Sequence, residues 1–262
     1  MKALLALGMS LIMTILLAPQ QVNAACAKPL LIAYSDWSRA AATPALENNK
    51  EYGLDFELLQ GILQMAECPF VHRPIPFKRI QEAIRHGTID GTMGSSLTVP
   101  RQEYAWFTEP YRQEIMAMFM LKDEVFTFKP KTVEDLAKSG YRVGLGMGSW
   151  HGAKFENLVR TNEEFKARVL LIDDFNLMYQ WLQRGRVDVA INDVHYGYYV
   201  LKRHNLLDQI VPHPFPINAS DIHIMLSKAS VSNEDATKIS EAVGRFRDTQ
   251  AYHQIIEKYA PK

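Results

Sequence analysis

Two helix-like runs in this chain end in the same Gly-x-(Ile/Val)-Asp turn and feed a short apolar stretch, at Gly87 to Asp90 and again at Gly185 to Asp188. The copies are 98 positions apart (185 − 87 and 188 − 90). A glycine at a helix end followed by a short buried strand is the grammar of a helix-turn-strand unit, so the chain must place two such units in one fold. The first copy, AIRHGTIDGTMGSSLTVPR, leads to Arg101, and the second, WLQRGRVDVAIND, leads to Asp193. Open α/β sheets bind ligands beyond the carboxyl ends of their strands. A guanidinium at one strand end and a carboxylate at the other is a layout for gripping a zwitterion.

The first residues carry one cation, Lys2, then an apolar run from Ala3 to Ala18, Pro19, and a small-residue exit at Val22-Asn23-Ala24. This reads as a Sec signal peptide over residues 1–24, too short for a membrane anchor and without a basic flank behind it. No later run is long and apolar enough to cross a bilayer, so the rest is expected to be exported and soluble. Two cysteines exist, Cys26 and Cys68. In an oxidising compartment they are expected to pair; lipidation of Cys26 is the alternative, disfavoured by Asn23 where a bulky apolar residue would be needed. Basic and acidic residues balance at 29 each, which supplies no field for nucleic acid or an anionic membrane. The expected partner is a small molecule and the expected state a monomer. The eight histidines show no zinc-type spacing, so no metal or other cofactor is expected.

Apolar periodicity places strands at Leu30–Tyr34, Val71–Ile75 and Ile89–Met93, with helices from Leu54 to Glu67 (Asp55 as N-cap) and from Phe77 to Gly87. The second half repeats the alternation. Glu114–Leu121 reads as a strand, Thr132 and Asp135 as the capping box of a short helix, and Tyr141–Leu145 as a strand. Helix, strand, helix and strand then follow at Gly152–Arg160, Val169–Ile172, Asp174–Arg184 and Val187–Ile191. After the prolines 212, 214 and 216 come a strand at Ile222–Leu226 and two helices, capped by Ser232 and starting near Thr249. Strands alternating with helices imply α/β architecture with parallel crossovers, and two such units imply two lobes with a cleft between them.

The runs Gly53-Leu54-Asp55-Phe56-Glu57-Leu58, Gly87-Thr88-Ile89-Asp90, Ser96-Leu97-Thr98-Val99-Pro100-Arg101 and Phe107-Thr108-Glu109-Pro110-Tyr111 resemble solute-binding protein family 3. This is the polar amino-acid-binding branch of the type II periplasmic binding proteins. Val143 to Ser149 and Gly185 to Asp193 are similar to the family's second-lobe segments. The resemblance implies a two-lobed α/β fold with a discontinuous first lobe, residues 25–111 and 221–262, and a second lobe, 112–220. It also implies hinges near 112–116 and 216–220 that let the lobes close on a ligand.

By the same resemblance Arg101 holds a ligand carboxylate through two parallel charge-assisted bonds, and Asp193 accepts the α-ammonium, a role compatible with capping the helix that starts at Val194. Ser96 and the carbonyl of Gly94 are further contacts, and Trp37 is the aromatic over the ligand side chain. The glycines of Gly144-x-Gly146-x-Gly148-Ser149 fit no nucleotide motif but suggest an anion seat of backbone amides ahead of a helix. Trp150 stands where the family has a small hydroxyl residue, so either Ser149 substitutes or Trp150 reshapes the pocket. The expected function is a periplasmic receptor that hands an amino acid or small carboxylate to an inner-membrane ABC permease. No nucleophile-base pair suggests an enzyme; a dehydratase-like enzyme and a ligand-sensing module are the alternatives.

Overall fold

A computed structural model describes residues 26–34, 53–172 and 175–260. The segment read as a signal peptide and Trp37 lie outside these residues. Among the described residues, ten strands form one continuous sheet. In chain order they are β1 (Leu30–Tyr34), β2 (Phe70–Pro74), β3 (Gly91–Ser96), β4 (Ala105–Phe107), β5 (Arg112–Leu121), β6 (Val143–Gly146), β7 (Val169–Ile172), β8 (Val189–Asp193), β9 (Ile210–Pro212) and β10 (Asn218–Ser227). The spatial order is β2-β1-β3-β10-β5-β8-β6-β7, with β4 beside β10 and β9 beside β5.

The sheet consists of two parallel triplets joined by two long antiparallel strands. β1 runs parallel to β2 and β3, and β6 runs parallel to β7 and β8. Between the triplets, residues 112–116 of β5 pair with 218–222 of β10. Beyond that shared stretch each strand enters a different lobe: β5 continues along β8 and β9, and β10 along β3 and β4. The first lobe is therefore discontinuous in sequence, and the two crossing segments lie side by side.

Period-two alternation decides where the cores sit. On β5, Ala117 and Phe119 enter one core layer with Tyr179, Leu182 and Val200, while Met116, Met118 and Met120 enter the other with Phe155, Phe165 and Leu136. On β10, Ile222, Ile224 and Leu226 pack against Leu58, Ile62 and Ile239. Met225 points to the opposite layer with Ile80, Ile84 and Ile89. Each lobe thus covers both faces of its part of the sheet with helices, as parallel strands require.

The repeated turn is a matched pair of helix stops and strand staples. The helix Phe77–Arg85 ends with Gly87 at φ 68°, and the helix Phe175–Gln183 with Gly185 at φ 60°. In the first, the Gly87 and Thr88 amides donate to Ile84 and Ala83; in the second, the Gly185 and Arg186 amides donate to Leu182 and Trp181. Both are Schellman caps, which favour a left-handed glycine. The aspartate three residues on then reaches the neighbouring strand. Asp90 accepts the Leu31 amide (2.8 Å) and the Lys28 ammonium (2.6 Å), and Asp188 accepts the Arg142 amide (2.7 Å) and guanidinium (2.6 Å). Because turn and staple absorb residues 88–90 and 186–188, β3 and β8 begin two residues later than periodicity alone places them. Asp193 is consequently the last residue of a strand.

Other expectations hold locally. The Thr132/Asp135 capping box is present, and Ser232 and Thr249 cap the last two helices, Asn233–Arg247 and Gln250–Lys258. Asp55 does not cap its helix, Leu54–Met65: Gly53 occupies the N-cap without a side-chain bond, and Asp55 is buried in the first turn. The helix gives up a cap because Asp55 is engaged elsewhere. Cys26 and Cys68 are joined by a disulfide with Cα atoms 4.8 Å apart, anchoring the start of the first lobe to the end of that helix. The bridge spans 42 positions, and on the chain-entropy model a loop of that length contributes about 4 kcal/mol. A Cys26→Ser/Cys68→Ser variant is therefore expected to unfold at markedly lower denaturant concentration; an unchanged midpoint would show that the denatured chain is not restrained by the bridge.

Candidate ligand-binding cleft

The first lobe contributes the end of β3 and the short helix after it. β3 carries an irregular register against β10, stepping from Ser95 opposite His223 to Thr92 opposite Met225. Gly94 sits in that step at φ 66°, and its amide donates to the Tyr111 hydroxyl (3.0 Å). Ser96 closes the strand, buried, and its carbonyl accepts Nη1 of Arg101 (3.0 Å). Arg101 lies on the helix Val99–Gln102. Burial holds its guanidinium below the ordinary value, opposed by Tyr104 and Glu114, and among the described residues no carboxylate pairs with it. The structure therefore brings Gly94, Ser96 and Arg101 together at one strand end.

The first residues of β5 add a charged group that periodicity alone did not single out. Arg112 is buried, with its side chain 4% exposed, and makes a two-point contact with Asp55: Nε to Oδ1 at 2.6 Å and Nη2 to Oδ2 at 3.1 Å. Its Nη1 stands 3.5 Å from Oδ2 of Asp193 in the second lobe. Burial works against a charge on Arg112, but Asp55, Asp193 and Tyr111 override it and hold the guanidinium well above its usual value. Two positions along the same strand face, Glu114 is 3% exposed. Burial pushes its carboxyl up to about 8, reinforced by Asp193 and Asp55 and opposed by Arg112 and Arg101. A sequence signal existed: Arg112 and Glu114 are in phase with the buried Met116, Met118 and Met120, so both charges had to be buried.

The second lobe contributes Asp193 and the loop after β6. Asp193 caps the helix Val194–Arg203, its Oδ1 accepting the Tyr196 amide (3.0 Å). Its other oxygen, Oδ2, is buried and has no hydrogen-bond partner. His195 Nδ1 stands 4.0 Å from Oδ1; burial pulls that imidazole below its usual value, with Asp193 opposing. β6 lies beside β8, with Leu145 opposite Ile191, so the loop from 147 to 152 follows at the level where β8 ends.

Part of that loop's backbone is engaged within the second lobe itself. Gly144 and Gly146 belong to β6, and the Met147 and Ser149 amides donate to the carbonyls of Ile172 and Gly146. Buried side-chain groups are left over as well. The Ser149 hydroxyl is buried without a partner, as is Nε2 of His151. His151 is 2% exposed, and its amide donates to Oε1 of Glu156 (3.1 Å), with Nδ1 turned to the same oxygen at 3.4 Å. Trp150 is half-buried beside it.

Nearly all buried polar atoms in proteins find a partner. At the strand ends of the second lobe four such atoms lack a hydrogen bond among the described residues: the Ser149 hydroxyl, Nε2 of His151, Nδ1 of His195 and Oδ2 of Asp193, the last facing only the Arg112 guanidinium at 3.5 Å. Among the described residues no cluster of three or more His, Cys, Asp or Glu side chains is placed to hold a metal, and no helix is long and apolar enough to cross a membrane.

Comparison with known proteins agrees with this architecture. No curated protein sequence matches the chain. Among solved structures, a histidine kinase sensor domain with similarity to periplasmic binding proteins superposes with a TM-score of 0.73 at 21% identity, over 88% of this chain and 96% of that one. An ABC uptake transporter substrate-binding protein from Streptococcus pneumoniae with bound histidine gives 0.71 at 20% identity, over 88% and 92%. The ancestral amino acid-binding protein AncCDT-1, a precursor of cyclohexadienyl dehydratase, gives 0.70 at 19% identity, over 88% and 95%. At these identities the likeness establishes the fold, that of the type II periplasmic binding proteins. The family model for bacterial extracellular solute-binding proteins, family 3, matches residues 42–262, so with its two-lobed sheet and paired crossing strands the chain belongs to that family.

Proposed function

We propose that the protein captures an amino acid, or a similar small carboxylate bearing an ammonium, between its two lobes. Arg101 holds the carboxylate, with Ser96 and Gly94 beside it, and Asp193 takes the ammonium. The observation that carries this reading is Oδ2 of Asp193, a buried carboxylate oxygen without a hydrogen bond. Its companion oxygen is committed to the helix cap, so one oxygen secures the fold, while the other has the Arg112 guanidinium 3.5 Å away and still lacks a hydrogen-bond donor. Ser149 and Trp150, with His151, line the same side, and Trp37 is proposed to cover the ligand side chain. Residues 25–111 with 221–262, and 112–220, act as the two closing bodies, and the paired segments 112–116 and 216–220 as the hinge.

Family membership supports delivery to an inner-membrane ABC permease, and export to the periplasm through residues 1–24 accords with the Cys26–Cys68 bridge. The protein is read as a binder and not an enzyme. The likeness to a histidine kinase sensor domain supports a second use of the same capture step, reporting occupancy to a membrane partner. Ligand uptake that depends on this protein would favour transport, and uptake unchanged by its deletion would favour reporting.

A thermal-shift panel tests the binding reading. At least one α-amino acid at a hundredfold excess over its Kd should raise stability by about 2.7 kcal/mol, and its deaminated analogue should not. Asp193→Asn keeps an equally good cap and should lose the shift. Equal stabilisation by the deaminated acid, or no response to any amino acid, would overturn it.

A further inference from the structure

One residue of β3 is surplus to the sheet. Ser95 stands opposite His223 and Thr92 opposite Met225, so Met93 and Gly94 together face the single Ile224 of β10. This is a β-bulge with its glycine in the left-handed region, at φ 66°. Side chains alternate faces along a strand, so one extra residue exchanges the faces of everything beyond it. Ser95, Ser96 and the turn that leads to Arg101 all lie beyond it. A bulge also leaves an amide outside the ladder. The residue opposite offers it nothing, because Ile224 turns its amide (3.1 Å) and its carbonyl (3.2 Å) to Thr108.

The missing partner comes from Tyr111, whose hydroxyl accepts the Gly94 amide at 3.0 Å. That hydroxyl is itself held in place from two other elements. Tyr111 is fully buried in the first-lobe core with Met93 and Ile222. Its amide donates to the Ile222 carbonyl (3.1 Å), and its carbonyl accepts the Tyr252 hydroxyl (3.0 Å) from the helix Gln250–Lys258. Burial, reinforced by Asp55 and opposed by Arg112, raises the phenol well above its usual range, so the hydroxyl stays neutral.

We propose that Tyr111 is a positioning residue for ligand capture, its hydroxyl fixing the Gly94 bulge that aims the end of β3 into the cleft. This rests on the amino-acid reading above, which sets Gly94 and Ser96 beside the ligand and Arg101 on its carboxylate. Tyr111 acts through Gly94. A phenyl ring would fill the same core space but leave the amide of a left-handed glycine unsatisfied, and the strand end would relax to find another acceptor. The groups it displaces meet the part that all α-amino acids share. The loss should therefore be the same whatever the side chain, and should appear in the dissociation rate more than in association.

Tyr111→Phe keeps the ring and removes the acceptor. Hydrogen exchange read by NMR in the ligand-free protein should find the Gly94 amide protected in the unaltered chain. In the variant it should exchange about tenfold faster, beyond any change at the Leu31 amide of the same sheet. L-glutamine, L-arginine and L-histidine serve as probes, since they share the α-carboxylate and α-ammonium and differ in side chain. Calorimetry should show each probe that binds losing about tenfold in affinity, by a common factor. Tyr252→Phe is the control, because it removes a hydrogen bond from the Tyr111 carbonyl instead of one to its hydroxyl. It should lower the denaturation midpoint comparably and leave both Gly94 exchange and affinity as they were. A Gly94 amide unprotected in the unaltered protein, an unchanged affinity in Tyr111→Phe, or an equal loss in Tyr252→Phe overturns the inference and leaves amino-acid capture standing. If none of the three probes binds, the amino-acid reading falls and the positioning role with it, even where Gly94 exchange responds as expected.

Discussion

Arg112→Ala is expected to cost the fold about 3–5 kcal/mol, because it removes one partner of a buried pair and leaves the other charged and dry. Asp55 is buried with its side chain 2% exposed and receives two guanidinium bonds from Arg112; without them its carboxylate has no cation. Asp193 loses the charge 3.5 Å from its Oδ2 at the same time. Both lobes should feel the substitution, since Asp55 lies in the first and Asp193 at a strand end of the second. Equilibrium denaturation measures the loss. A double variant, Asp55→Leu/Arg112→Met, removes both charges and fills their volume with apolar atoms, so its loss should be well below that of Arg112→Ala. A single Arg112→Ala variant within 1 kcal/mol of the parent would mean that the pair is solvated in solution and does not tie the lobes.

The second large effect falls on binding. Arg101→Ala should leave stability nearly unchanged, because the side chain makes one described hydrogen bond, to the Ser96 carbonyl, and no ion pair. Affinity should collapse. A carboxylate held by two charge-assisted bonds of roughly 1.5–3 kcal/mol each loses about 3–6 kcal/mol, at least a hundredfold. A ligand held at micromolar affinity, about −8 kcal/mol, would then bind no better than submillimolar. Arg101→Lys keeps the charge but not the fork, so it should recover only part of the loss. Calorimetry with whichever amino acid stabilises the parent protein decides the matter, and a change of only a few-fold in Arg101→Ala would remove Arg101 from the site.

The contrast between Arg101 and Arg112 shows how far sequence reasoning reaches. Arg101 was legible because it belongs to a recognisable block, Ser96 to Tyr111. Arg112 follows that block directly, yet its role depends on two residues far along the chain, Asp55 at a separation of 57 and Asp193 at 81 (193 − 112). The misassignment of Asp55 has the same cause. An aspartate at a helix start satisfies the local rule for an N-cap, and only the arrival of a guanidinium from another strand explains why it turns inward instead.

The repeated Gly-x-x-Asp turn shows the converse. Its glycines and apolar neighbours determined two helix-turn-strand units from sequence alone, since caps and periodicities are settled within about one turn of chain. The tertiary structure decided what the aspartates do: Asp90 and Asp188 each hold the first amides of an adjacent parallel strand. The sequence by itself determined the α/β alternation, the Cys26–Cys68 pairing and the family. Tertiary packing decided which charges are brought out of water together, because those positions come from separate strands and helices and meet only when both lobes have formed around β5 and β10.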